Sequence, residues 1–549
     1  MRFLDYSQEG IYYLPDSIRG LLHVGKSVRA YFLRFHKKRP WQEIASKRKN
    51  RAKRIKGEIG NIGDGYMSKK IVKDVTKANK IRNSKTNMKL AAPLEAVLSP
   101  INSFISMETS GGIVLLLATI VALIWANSMP ESYLGFWGTH ARIGIGSFSL
   151  EHTLLEWVND GLMAIFFLQV GLEIKREMQV GDLSSFGQAI LPVIAAAGGM
   201  LVPAILFSLC AMGTPYTHGW GIPVATDIAF ALGVITMLGK RVPNSLKVFL
   251  VALAIADDLG AVLVIALFYS SNINVVALVS ALAVFAILLL LNKLGTRSLI
   301  VYSLGGIVLW LCVLHSGIHA SLAGVMLAIT IPTWTALDKD RLAKAIATVR
   351  DALDKRPDNE EGAIGDTKVI SAVEFLHENA SKALPPLVVM EHSIGTFVSM
   401  IIMPLFALAN SGVIITKLDP GFLSDTITHG IALGLIVGKP VGITLGTYLT
   451  IKCGLAKLPR GANWIQLFGA GMLGGIGFTM ALFVSNLALG AGSHLDTAKL
   501  AILCSSTAAG ILGFVWLYLH PQKTDGQNGE AAEPTSDKAT EKAVATAKA

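Results

Sequence analysis

The chain has 549 residues, 52% hydrophobic and only 16% charged, with a mean hydropathy of +0.52. Soluble globular proteins carry about 25% charged residues, so this composition excludes an ordinary soluble enzyme or binding domain and points to a polytopic membrane protein. The net charge of +11 is concentrated at one end: residues 1–91 hold 23 Lys and Arg against 7 Asp and Glu, an excess of +16 that leaves the remainder slightly acidic.

In chain order, the first element is a basic extension over 1–97. Its stretch KSVRAYFLRFHKKRPWQEIASKRKNRAKRIK interleaves aromatics with cations. That pattern suits a segment on an anionic cytoplasmic leaflet, and it also suits a solvated basic tail. Nucleic acid is not expected as a partner, because no recognition motif accompanies the charge. A secretory signal is not expected either, since no apolar run follows the first charges.

Twelve apolar spans follow, at about 110–127, 153–173, 189–210, 222–238, 246–270, 275–292, 298–313, 316–332, 394–416, 429–451, 465–488 and 497–519. Spans 1–8 make one block over 98–332 and spans 9–12 another over 391–520. Lys and Arg mark cytoplasmic loops. They recur after every second span: Lys175 and Arg176, then Lys240, Arg241 and Lys247, then Lys293 and Arg297, then Lys339, Arg341, Lys344 and Arg350, then Lys452, Lys457 and Arg460. The intervening loops hold little beyond Arg142, Lys417 and Lys499. The alternation predicts that both termini are cytoplasmic. Residues 140–153, THARIGIGSFSLEH, alternate as a short extracytoplasmic β-hairpin would. Residues 333–390 form a mixed-charge, partly helical cytoplasmic insertion with the loop-like stretch RPDNEEGAIGD, and 521–549 read as a disordered tail. Cys210, Cys312, Cys453 and Cys504 have no metal-ligand spacing and read as apolar fillers.

Few ionisable residues occupy span centres: Asp160 in span 2, Asp227 in span 4, Asp257 and Asp258 in span 5, His319 in span 8 and Lys439 in span 10. An Asp at a helix centre costs roughly 2.5–3.5 kcal/mol on insertion scales, so intramembrane charges point to function by default. The alternative is a buried structural ion pair. Span 4, GIPVATDIAFALG, is weakened at Gly221 and Pro223 just before Thr226 and Asp227. Span 11, GAGMLGGIGFTMALF, carries five glycines between 469 and 477. Glycines serve close helix packing. Breaks at corresponding places in two three-span repeats, however, point to a transporter site, and unwound backbone is tolerated only where it lines a protein cavity. Asp227 would then balance the positive N-termini of half-helices and Lys439 the negative C-termini.

Adjacent carboxylates resist ionising together, and hard cations prefer oxygen ligands. The Asp257–Asp258 pair can thus be filled by protons or by a small cation, in competition. The doubly protonated and cation-loaded states differ in charge, so exchange would be electrogenic.

The motifs VGLEIKRE (170–177), WVNDGLMAIFFL (157–168), VATDIAFALGV (224–234), ALAIADDLGAVLVIALFY (252–269), SGIHASLAGV (316–325), MPLFALANSGV (403–413), VGKPVGI (437–443) and GGIGFTMALF (474–483) resemble the NhaA family of bacterial sodium/proton antiporters, collinearly over about 100–520. The resemblance implies an all-α fold of twelve transmembrane helices in the cell inner membrane, with inverted repeats and two broken crossing helices. It implies no cofactor, and transport of Na+ or Li+ against H+. Asp257 and Asp258 would carry ion and protons, with Asp227, Thr226 and Lys439 in support. Asp160 matches a polar family position. Glu173, Arg176, Glu177, Glu391 and His392 match a pH-regulation cluster, which positive-inside capping with local ion pairs explains equally. His319 matches a pH-linked histidine, or is simply packed. The hairpin resembles a homodimer contact. The extension, the insertion and the tail depart from the compact family pattern. Two other classes compete. A sodium-coupled solute symporter needs an organic-substrate pocket. An intramembrane aspartyl protease needs opposed carboxyls on different helices, whereas this pair is adjacent on one span.

Overall fold

The structure is a computed structural model that describes residues 110–521 apart from 146–147, 182, 271–272, 337–338, 355–366, 416–420 and 491. The basic extension, the RPDNEEGAIGD stretch and nearly all of the C-terminal tail lie outside the described residues.

Hydrocarbon offers no partner to backbone polar groups, so a chain this apolar satisfies them within helices. The helices are α1 (Ser110–Ser128), α2 (Pro130–Trp137), α3 (Leu154–Gln179), α4 (Phe186–Cys210), α5 (Ile228–Met237), α6 (Asn244–Phe268), α7 (Val275–Lys293), α8 (Leu299–Leu314), α9 (Leu322–Thr330), α10 (Lys339–Asp354), α11 (Thr367–Ala383), α12 (Pro386–Asn410), α13 (Thr426–Lys452), α14 (Trp464–Leu473), α15 (Phe478–Leu489) and α16 (Ser493–Leu519). A tighter 3-10 segment, Pro215–Val224, precedes α5. Among the described residues, eight helices are long and apolar enough to cross a membrane. Two bent pairs bring the count to ten: Pro215–Val224 with α5 at 42°, and α14 with α15 at 51°.

The helix ends follow their capping chemistry. Thr153 and Glu156 form a reciprocal capping box at the start of α3, as Asn463 and Gln466 do at α14, each satisfying two otherwise unpaired donors. The Asn274 side chain accepts from two N–H groups at the start of α7. Strands His140–Ile145 and Phe148–Thr153 pair antiparallel just before α3, with Arg142 opposite Glu151. Two helices run further than the hydropathy of their sequence suggests. α3 continues to Gln179, carrying Glu173, Arg176 and Glu177 on helical turns. α12 starts at Pro386, so Glu391 and His392 sit inside it. Charged residues end a hydropathic span without ending a helix. Conversely, only Leu322–Thr330 of span 8 is helical, and His319 precedes it.

The main core joins α1, α3, α4, α5, α6 and α12–α16. A second cluster joins α7, α8 and α9 to α3 and the start of α12. α4 and α13 cross closely: a Cβ on Gly198 would lie 2.3 Å from the Gly442 carbonyl oxygen, and one on Gly442 would lie 2.2 Å from that of Gly198. This contact presses the middle of α13, including Lys439, into the core. In the insertion, α10 and α11 pack together over Ala345, Val369 and Ala372. Arg297 ties their base to the α7–α8 turn, donating to the carbonyls of Lys382 at 3.1 Å and Leu384 at 2.8 Å.

Candidate functional site

The two breaks meet each other. Residues 225–227 run extended between the 3-10 segment and α5. The Asp227 N–H donates to the Ile476 carbonyl at 2.6 Å, and the Thr226 hydroxyl donates to the Gly474 carbonyl at 2.7 Å. Each break thus supplies partners that lipid could not give the other. The five glycines divide by role. Gly469 and Gly471 lie against α16 and α13, as close helix packing requires. Gly475 sits in the break, where a Cβ would come within 2.2 Å of the Leu435 carbonyl oxygen.

Asp227 caps both downstream half-helices. Its Oδ1 accepts from Phe230 N–H at 3.3 Å. Its Oδ2 accepts from Thr479 N–H at 3.2 Å and also from the Thr479 hydroxyl. One carboxylate therefore faces the positive ends of α5 and α15 together, where a negative charge is favourable.

Lys439 approaches from α13 on the other side. Its Nζ donates to Asp257 Oδ2 at 2.5 Å and to Thr226 Oγ1 at 2.9 Å, and all three residues are fully buried. Through Thr226 the ammonium connects to the Gly474 carbonyl at the end of α14, a negative helix end. Isolated charges of this kind would be very costly; here each meets an opposite charge or a directed hydrogen bond.

Asp258 differs from its neighbour. Successive helical residues point about 100° apart. Asp257 turns to Lys439, whereas Asp258 lines a cavity of about 210 Å³ that Thr226, Asp227, Thr479, Gln169 and Glu173 also line. Asp258 Oδ1 is buried and accepts no hydrogen bond from the protein. The cavity therefore holds an acceptor-rich, donor-poor pole, suited to a proton or a small hard cation. A larger hollow of about 740 Å³, walled by Trp157, Trp310 and aliphatic side chains, contains none of these carboxylates.

The remaining candidates fall into separate places. Glu173 lines the Asp258 cavity. Arg176 bridges Glu391 and Glu177, each at 3.1 Å; Glu391 is buried and His392 exposed. Asp160 and His319 are not among the residues lining the cavity. The backbone carbonyl of Asp160 accepts from Trp310 Nε1 at 2.9 Å. The His319 ring meets Phe483 edge-on at 6.3 Å between centroids.

Four residues escaped the sequence reading. Thr479 was visible only as part of the motif after the glycine run. Gln169 is uncharged and looked like any polar residue on a span. Asn410 is fully buried; its Nδ2 donates to Asn159 Oδ1 and its Oδ1 accepts from Asn486 Nδ2, a contact between three distant segments. Lys175 looked like loop charge; its Nζ instead donates to the carbonyls of Ala328, Ile329 and Ile331 at the end of α9.

The family model for Na+/H+ antiporter 1 matches residues 102–517. The chain is 46% identical over 430 residues to the Na(+)/H(+) antiporter NhaA of Oleidesulfovibrio alaskensis, covering 77% of this chain and 94% of that one. It is 45% identical to the Na(+)/H(+) antiporter NhaA 2 of Helicobacter hepaticus over 434 residues, 78% and 98% of the two chains. The Na(+)/H(+) antiporter NhaA of Helicobacter pylori is 45% identical over 436 residues, again 78% of this chain and 98% of that one. Among solved structures, a sodium proton antiporter of Methanocaldococcus jannaschii aligns with 78% of this chain and 99% of that one, at 13% identity and a TM-score of 0.41, too distant a likeness to establish a common fold. By the extent of the family match and the identity of its relatives, the chain belongs to the NhaA family of Na+/H+ antiporters, which are membrane transporters rather than enzymes.

Proposed function

We propose that this antiporter exchanges Na+ or Li+ leaving the cell for protons entering it, with Asp258 as the primary binding group and Asp257 as its partner. The observation that carries the reading is the asymmetry of the pair: Oδ1 of both carboxylates takes no hydrogen bond from the protein, but Asp258 lines the cavity, whereas Asp257 does not and is held through Oδ2 by Lys439. A cation entering the cavity meets Asp258 first. Its positive charge competes with the Lys439 ammonium for Asp257, which is freed to complete the oxygen shell. Protons refill both carboxylates from the opposite side. Na+ and H+ contend for the same oxygens, so each displaces the other. The doubly protonated and Na+-loaded states differ in charge, and the cycle is electrogenic. The half-helix ends, held together at Thr226–Asp227 and 474–479, supply a junction about which access can alternate.

The topology belongs to the same proposal. The twelve spans form two sets of inverted repeats, with span 4 in one and span 11 in the other. The chain lies in the bacterial inner membrane, with both termini and the insertion cytoplasmic by the positive-inside rule. That places Glu173, Arg176, Glu177 and Glu391 at the cytoplasmic mouth, where they set the pH response, and the β-hairpin outside, where it contacts a second copy. Asp160 and His319 would act on the extracytoplasmic half.

The test is Na+-driven proton flux in proteoliposomes. Asp258→Asn abolishes exchange, while the wild-type apparent KM for Na+ rises as pH falls and its rate at saturating Na+ stays level. A D258N protein that still exchanges at the wild-type rate removes the site assignment. A KM independent of pH removes the competition.

A further inference from the structure

We infer that Gln169 is a way-station for the dehydrating cation between the mouth of the cavity and Asp258, an inference that rests on the ion-exchange reading above. Glu177, Glu173 and Gln169 are spaced four residues apart on α3, so they stack along one face. Each step along that face is about 6 Å deeper. The stripe descends from the Arg176 ion pairs to the cavity wall, where Glu173, Gln169 and Asp258 share one space. The charge along it changes from carboxylate to neutral amide to carboxylate.

Gln169 Oε1 is buried and takes no hydrogen bond from the protein. A buried acceptor left unpaired costs about 1–3 kcal/mol, so in a packed wall it would normally have a partner. The amide lies against the backbone of Gly395 on α12; a Cβ there would stand 3.4 Å from Nε2 and 3.9 Å from Oε1. Even a Cβ there would make only ordinary contact, so this wall does not clamp the amide. The terminal torsion of glutamine is broad, so the oxygen can swing into the cavity. A neutral carbonyl is a fitting ligand at this depth. It replaces one water of the ion's hydration shell without adding a charge deep enough to trap the ion. Passage needs sites favourable enough to enter and weak enough to leave. A carboxylate at this position would join Glu173 and Asp258 in one deep well.

The test uses the full chain in proteoliposomes, with Na+ and Li+ flux measured at fixed pH. Gln169→Leu keeps the volume and removes the oxygen. Loss of one neutral contact corresponds to about a 5-fold rise in apparent KM for Na+, with the rate at saturating Na+ kept within about twofold. The ratio of Li+ to Na+ KM changes as well, because the smaller ion gives up its water at greater cost. Gln169→Glu lowers KM and slows turnover. If Q169L does not fold, Gln169→Met carries the same test. A folded Q169L or Q169M with wild-type KM for both ions overturns the inference, since a merely space-filling glutamine tolerates either change. Exchange that survives D258N defeats the underlying reading; an unchanged Q169L in a protein that needs Asp258 defeats only the way-station.

Discussion

Asp227 is the point where two broken helices depend on one side chain, and its substitution yields a graded prediction. Asp227→Ala removes three hydrogen bonds, from Phe230 N–H, Thr479 N–H and the Thr479 hydroxyl. Hydrogen bonds to a charged acceptor contribute about 1.5–3 kcal/mol each, with large mutual overlap at one carboxylate, and a lost N-cap costs about 0.5–2 kcal/mol. Two caps share this residue, so the loss is about 3–5 kcal/mol. Asp227→Asn is nearly isosteric but keeps one acceptor oxygen. Its amide nitrogen must face donors on one side, and only the Thr479 hydroxyl can turn to accept from it. The expected cost is about 1–3 kcal/mol. Thr479→Val removes only the hydroxyl donor, about 1 kcal/mol. The assay is thermal unfolding of purified protein in one detergent at neutral pH, with the midpoint falling by roughly 2 °C or less per kcal/mol in a chain of this size. The order of stability should be wild type, T479V, D227N, D227A. The double variant D227N/T479V should cost less than the sum of the singles, because both act through one contact. A D227A protein melting with the wild type would refute the idea that this carboxylate ties the half-helices together.

Lys439→Ala leaves Asp257 buried without its counter-ion. Breaking one side of a buried pair costs about 3–5 kcal/mol, so K439A should melt well below wild type, and K439A/D257A should recover part of the loss; a double variant no better than K439A would sink the pairing. Gly475→Ala drives a methyl to within 2.2 Å of the Leu435 carbonyl oxygen, an overpacking penalty of about 1–3 kcal/mol or more, read as reduced folded yield. Gly135→Ala, where nothing lies within 4 Å, serves as control and should fold as wild type.

Much of the site was legible before the fold. Asp227, Asp257, Asp258 and Lys439 stood out because lipid makes an unneeded charge expensive, so a charge in an apolar run is itself information. The glycine run and Pro223 announced the breaks because backbone propensity is local. Gln169, Thr479 and Asn410 did not stand out, since a neutral polar residue on a helix is common and its meaning depends on what faces it. Helices α3 and α12 extend to Gln179 and from Pro386, beyond the apolar spans that contain them, for a related reason: hydropathy reports what lipid accepts, whereas a helix continues into any environment that leaves its hydrogen bonds intact.

By itself, then, the sequence determined the class of protein, the apolar segments, the positions of the breaks and the charges inside them, all properties of solvation and local backbone preference. Only the tertiary structure decided how those charges are shared. Adjacent residues on one helix diverge by about 100°. Which of Asp257 and Asp258 meets Lys439, and which faces the cavity, therefore depends on how α6 is rotated against α13 and on the contact of Gly198 with Gly442. The pairing of Asp227 with Thr479, 252 positions along the chain, likewise exists only because two breaks cross at one point, where each backbone completes the other's hydrogen bonds.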